Sequence, residues 1–128
     1  MNDRGLSYPV VAKDMIIRAK VKKVSGSSLS LWLRDGYEGK WKGDNRFEIL
    51  KAVPGKGHAS LKSYTTPLSY RNGFELGFAA IGDVLTVFVN RQPIMEVRDS
   101  MFKEGKSRLS ASAGTSLFRD VEIQILKK

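Results

Sequence analysis

Apolar and polar residues alternate in short runs along this chain, and Gly, Asn, Asp, Pro and Ser clusters separate the runs. From Asp14 to Val24, Met15, Ile17, Ala19 and Val21 point one way, while Ile16, Arg18, Lys20 and Lys22 point the other. A period of two is the signature of a strand with one buried face. After the turn Ser25-Gly26-Ser27-Ser28, Leu29, Leu31 and Leu33 share a face, with Ser30, Trp32 and Arg34 opposite. Phe47 to Val53 and Ala59 to Tyr64 read as further strands. Phe74, Leu76, Phe78 and Ala80 alternate with Glu75, Gly77 and Ala79, and Gly82-Asp83 marks a hairpin turn into Val84–Asn90. Asn90-Arg91-Gln92-Pro93 turns the chain into a returning strand, Ile94 to Arg98. Leu109 to Ala113 and Arg119 to Leu126 complete the set, with Val121, Ile123 and Ile125 on one face of the last. The stretch from Asp35 to Asp44 reads as a Gly-rich loop holding Tyr37 and Trp41, and Thr65 to Asn72 as a connecting loop.

No window of about 11 residues keeps the i, i+3, i+4, i+7 apolar spacing of a helix. Roughly nine or ten short strands with turns every 8–12 residues predict an all-β fold, a two-sheet antiparallel jelly-roll sandwich. The first and last long strands lack strong turn residues and are expected to pair. Residues 1–12 are expected as a lead-in and 13–128 as one sandwich domain.

With 128 residues the chain can bury a sizeable core, and 41% hydrophobic content excludes a disordered polymer. There is no cysteine, which excludes disulfides and thiolate metal sites. No apolar run reaches the ~18 residues needed to cross a bilayer as a helix. The N-terminal stretch lacks the apolar core of a signal peptide, so the chain reads either as cytosolic or as a module of a larger protein. Lys and Arg number 22 against 13 Asp and Glu, a formal charge of +9. Such a surface attracts polyanions, although net charge alone selects no partner.

Three blocks carry a resemblance: DMIIRAKVKKVSGSSLSLWLRDG, FELGFAAIGDVLTVFVNRQPIMEVRD with its V-N-x-x-P turn, and LFRDVEIQIL. Together they resemble the concanavalin A-like lectin/glucanase superfamily on its laminin G-like side. They are also similar to small jelly-roll modules of large multidomain bacterial proteins, including kinase-associated ones, and to the 3-keto-disaccharide hydrolase domain family. The resemblance implies a ligand-binding or scaffolding module of a larger bacterial protein, on the extracellular or periplasmic side. Its motifs specify fold more than function.

The E-x-D-x-x-E carboxylate pattern of jelly-roll glucanases is absent. Glycoside hydrolysis needs two carboxylates flanking the bond. Glu96 and Asp99 fall on opposite faces of a strand, and Asp99 is better read as a turn cap. Asp120 and Glu122 share a face and suit cross-strand pairing with Lys20 and Lys22. His58, the one histidine, reads as an exposed loop residue with no nucleophile motif around it. Calcium would need six to eight oxygens; Asp35, Asp44 and Asn45, with Asp83 or Asn90, are the candidate donors, but turn chemistry accounts for each. No cofactor is therefore expected.

Two clusters suit ligand binding. Trp32, Arg34, Tyr37 and Trp41 could form a rim on which sugar rings stack while polar groups bond the hydroxyls; the bland reading places the aromatics in the core. Arg18, Lys20 and Lys22 form a basic stripe, about 7 Å apart along one strand face, that suits an acidic polysaccharide or a solvated sheet face. Nucleic acid is disfavoured because no groove-reading motif is present. The expectation is a non-catalytic module that binds an acidic or neutral glycan. The alternatives are a protein-interaction or spacer module, and a glycoside-processing enzyme.

Overall fold

The computed structural model describes residues 4–21, 28–42, 45–66, 73–111 and 118–126. These form eleven strands and, among the described residues, no helix: β1 (Arg4–Ala12), β2 (Asp14–Val21), β3 (Leu29–Leu33), β4 (Tyr37–Trp41), β5 (Arg46–Val53), β6 (Gly57–Thr65), β7 (Phe74–Ile81), β8 (Val84–Val89), β9 (Gln92–Arg98), β10 (Gly105–Ala111) and β11 (Phe118–Leu126). A six-stranded sheet runs β1-β10-β3-β4-β5-β6 and a five-stranded sheet runs β11-β2-β7-β8-β9. Every pairing is antiparallel. The all-β jelly-roll sandwich is therefore the fold, and the first and last long alternating runs do pair, as β2 with β11.

Two strands were hidden in the sequence. Part of the expected lead-in is β1, an edge strand on β10 whose register breaks between Tyr8 and Ala12, around Pro9. A proline is tolerated at a sheet edge because one side of the strand has no partner to receive its missing donor. The expected Gly-rich loop contains β4. Its inward positions are Tyr37, Gly39 and Trp41, and glycine at the centre disguises the alternation. The glycine is a packing requirement: a Cβ there would lie 2.6 Å from the Phe78 ring, which crosses from β7.

The core fills the gap between the sheets. Ile17, Leu29, Leu31, Leu33, Phe47, Leu76, Phe78 and Leu85 are all fully buried. Each such side chain contributes about 1.5–3 kcal/mol relative to an exposed one. Trp41 and Phe47 set their rings edge-on to Phe74, with centroids 5.0 and 6.2 Å away.

Primed turns close the hairpins. Gly82 (φ 60°) opens the β7–β8 turn, while Asn90 (φ 51°) and Arg91 (φ 67°) make the β8–β9 turn. Asn90 steadies its turn by accepting the Glu75 N–H through Oδ1 at 2.9 Å. Between β3 and β4, Arg34 (φ 55°) and Asp35 (φ 60°) are both left-handed, a strained choice for side chains other than Gly or Asn.

What holds that turn is Arg34 itself. It is 3% exposed, and its guanidinium donates to the carbonyls of Lys13 (2.8 Å), Gly82 (2.8 Å) and Phe102 (3.1 Å) and to Asp14 Oδ1 (3.3 Å). One side chain thus ties four chain segments together at one end of the sandwich. Nearby, Tyr37 donates to Asp99 Oδ1 at 2.5 Å, Lys51 donates to Asp99 Oδ2 at 2.9 Å, and the Met101 N–H caps Asp99 Oδ1 at 3.0 Å. Burial, reinforced by the Asp99 hydrogen bond, pushes the Tyr37 hydroxyl up to about 12. Burial alone would raise the Asp99 carboxyl, but the bonds from Tyr37, Met101 and Lys51 outweigh it and hold it below its ordinary value.

Candidate functional site on the outer face of the six-stranded sheet

Residues that alternate with the core positions of β3, β4, β5 and β10 face outward, and they are polar around one tryptophan. In β3 these are Ser30 and Trp32; in β10, directly opposite, stand Ser110 and Arg108. On the other side, β4 sets Lys40 against Ser30 and Glu38 against Trp32. Leu50 and Glu48 of β5 continue the two rows.

Trp32 is half-buried and held on several sides. Its indole N–H donates to Ser110 Oγ at 3.1 Å. The Arg108 guanidinium carbon sits 4.4 Å over the ring. The His58 ring, from the start of β6, approaches to 5.7 Å at a tilt of 57°. Glu38 is buried at 6% exposure and accepts the Ser30 hydroxyl. Beyond it, Glu48 pairs with Lys42 at 3.3 Å. Burial would raise the Glu48 carboxyl, but hydrogen bonds from Ser60 and Lys42, with the charge of Lys40, hold it below the usual range. A cleft of about 290 Å³ opens beside the tryptophan, lined by Trp32, Asp35, Lys106, Ser107 and Arg108.

The expected cluster of Trp32, Arg34, Tyr37 and Trp41 does not assemble. Tyr37 and Trp41 are 0% and 1% exposed and face the core, so neither offers a stacking surface. Arg34 is the buried clamp described above. Only Trp32 projects outward. The expected basic stripe lies on the opposite side of the molecule, on the five-stranded sheet. There Arg18 pairs with Glu122 at 2.9 Å and Lys20 with Asp120 at 3.6 Å, so its charge is largely answered. The carboxylates that answer it are the pair expected to do so. Lys22 lies outside the described residues.

Asp44, one of the calcium candidates, also lies outside the described residues. The other candidates serve turns and pairs. Asp35 accepts the Lys106 N–H at 3.2 Å, Asn45 donates to the Thr66 carbonyl at 2.6 Å, and Asp83 pairs with Arg98 at 2.8 Å. Among the described residues, no three His, Asp or Glu gather as a metal site would require.

Sequence reasoning missed Arg108 and Glu38 as neighbours of Trp32 and read His58 as a loop residue. All three come from strands remote from β3 in the chain or hidden in the Gly-rich stretch. The one local signal was the outward parity of Trp32 against Leu29, Leu31 and Leu33.

No family model and no curated protein matches this chain by sequence. By structure it is similar to the carbohydrate-binding module CBM66 from Bacillus subtilis, with a TM-score of 0.80 and 20% identity, covering 95% of this chain and 81% of that one. It is also similar to sheep galectin-11 in complex with glycerol (TM-score 0.73, 16% identity, 97% and 98% covered). A third similar structure is the Caenorhabditis elegans galectin LEC-6 (TM-score 0.73, 11% identity, 97% and 91% covered). These likenesses establish the fold alone, a two-sheet jelly-roll sandwich. At such identities the ligand has to be argued from this chain's own residues.

Proposed function

We propose that the chain is a non-catalytic glycan-binding module that engages its ligand on the outer face of the six-stranded sheet, around Trp32. The observation that carries this reading is the placement of a half-buried tryptophan on a largely polar face, flanked by Arg108, His58 and Glu38. The apolar C–H face of a sugar packs on an aromatic ring, while charged and hydroxyl groups around it fix the sugar's hydroxyls. The fold it shares with a carbohydrate-binding module and two galectins supports the reading. A setting within a larger bacterial protein, on the extracellular or periplasmic side, is the part carried by the laminin G-like and kinase-associated resemblance.

Three carboxylates weighed for catalysis are engaged in other contacts. Asp99 is committed to Tyr37 and Lys51, while Asp120 and Glu122 answer Lys20 and Arg18. A second reading, a protein-interaction or spacer module, draws on the outer face of the five-stranded sheet. There Ile81 is exposed and lies opposite Val84 in register.

A glycan array probed at two salt concentrations, with and without calcium, tests the proposal. The expected result is a bound glycan class whose affinity falls at least about tenfold in Trp32→Ala, with the melting temperature nearly unchanged. Because Trp41 is buried, a ligand-induced fluorescence change belongs to Trp32 and should vanish in Trp32→Phe. Silence across the array would move the function to the interaction or spacer reading.

A further inference from the structure

Arginines on the two outer faces of the sandwich differ in what they hold. On the five-stranded sheet, Arg18, Arg91 and Arg98 each meet a carboxylate at 2.8–3.0 Å. Arg108 meets none: among the described residues it has neither a carboxylate partner nor a hydrogen-bond acceptor, and its one specific contact is the Trp32 ring. Stacking over an indole fixes the plane of a guanidinium without using its N–H donors, which lie in that plane. Arg108 is exposed, so its donors are available to solvent rather than committed to an acceptor among the described residues. Lys106, two residues earlier in β10, is exposed and lines the same cleft.

The acidic groups nearby define where an anion can approach. Asp35 lines the cleft too, with Oδ2 receiving the Lys106 N–H at 3.2 Å. Glu38 stands on the far side of Trp32, in β4, holding the Ser30 hydroxyl. The β10 side of the tryptophan therefore sets two cations, Arg108 and Lys106, against the one carboxylate of Asp35, and the β4 side carries Glu38.

We propose that Arg108, stacked on Trp32 and assisted by Lys106, is the receptor for the anionic substituent of an acidic sugar, a carboxylate or a sulfate. Neutral hydroxyls of the same glycan face Glu38 and His58. This deepens the glycan-binding reading and rests on it. It also relocates the acidic-glycan chemistry from the neutralised β2 stripe to the opposite face.

Titration calorimetry with paired probes tests it. A uronic acid oligosaccharide is compared with its carboxyl-reduced counterpart, and a sulfated oligosaccharide with its desulfated one. At least one acidic member should bind about tenfold or more tighter than its neutral partner. Which pair shows the gap identifies the anion. Arg108→Ala should abolish the gap, bringing the acidic member down to the level of its neutral partner in the same variant; Arg108→Lys should restore only part of it, because the charge returns without the fork. Arg98→Ala removes one exposed charge elsewhere and should leave the gap intact. Equal affinity within both pairs, or an unchanged gap in Arg108→Ala, overturns the anion receptor and leaves the glycan-binding reading standing. Binding by no member of either pair, with an array that is also silent, overturns both.

Discussion

The six-stranded sheet carries two tryptophan–arginine sets of the same composition and opposite fate. Trp41 and Arg34 face inward, where Trp41 packs against Phe74 and Arg34 makes four hydrogen bonds, to three carbonyls and a carboxylate. Trp32 and Arg108 face outward, where the arginine lies against the indole and, among the described residues, meets no acceptor. Residue type does not distinguish the two sets. Strand parity separates the two tryptophans, because one step along a strand exchanges core for solvent, and the left-handed turn after β3 carries Arg34 inward. The inner set determines stability, and the outer set is free to determine binding.

The sharpest way to break this contrast is to delete the inner aromatic. Trp41→Ala is expected to cost about 3–5 kcal/mol in chemical denaturation. A loss under about 1 kcal/mol would mean that the ring is not a core element. Arg34→Ala should cost about 3 kcal/mol, since it leaves buried carbonyls and Asp14 without their donor. The matching outer changes, Trp32→Ala and Arg108→Ala, should each cost about 1 kcal/mol or less, with their main effect on ligand affinity.

The neighbouring Tyr37–Asp99–Lys51 network gives a pH signature that belongs to the inner set alone. The Tyr37 hydroxyl is raised to about 12 in the fold, so its contribution is complete below pH 10 and is lost as pH rises toward 12. Asp99 is held below its ordinary value of 3.8, so its contribution is present above that pH and is lost as pH falls through the folded value. Denaturation midpoints measured across pH should show both losses, and Tyr37→Phe should remove the alkaline one. The smallest expected effect is at Arg18→Ala. Its partner Glu122 has a side chain 54% exposed, so stability should change by no more than about 1 kcal/mol and glycan affinity should not change. A large affinity loss there would move the site to the five-stranded sheet.

Strand alternation made most of the sandwich legible in the sequence. Met15 to Val21 and Val84 to Val89 read correctly because each strand buries one face and keeps a strict period of two, and β7 was legible from the alternation of its large apolar side chains although Gly77 and Ala79 between them are buried too. β4 escaped because Gly39, required by the Phe78 ring, interrupts its apolar face. Arg34 was misplaced because its left-handed backbone breaks the parity that β3 establishes, turning a residue expected outside into the interior. The site was half legible. Trp32 declared its outward direction locally, but Arg108 and His58 reach it only through pairings that no local pattern encodes.

The strand order also has a consequence in time. β3 to β6 and β7 to β9 are sequential neighbours within their sheets and can form from short loops. Joining β10 to β3 and β11 to β2 requires distant chain segments to meet; Arg18 and Glu122 are 104 residues apart. Such closures carry the larger loop entropy and belong to the slower part of folding. Trp32 is therefore expected to take up its outward position before Arg108 reaches it. In stopped-flow refolding, binding competence should lag behind the burial of Trp41, because the recognition surface is completed only when the two distant edges of the chain have closed.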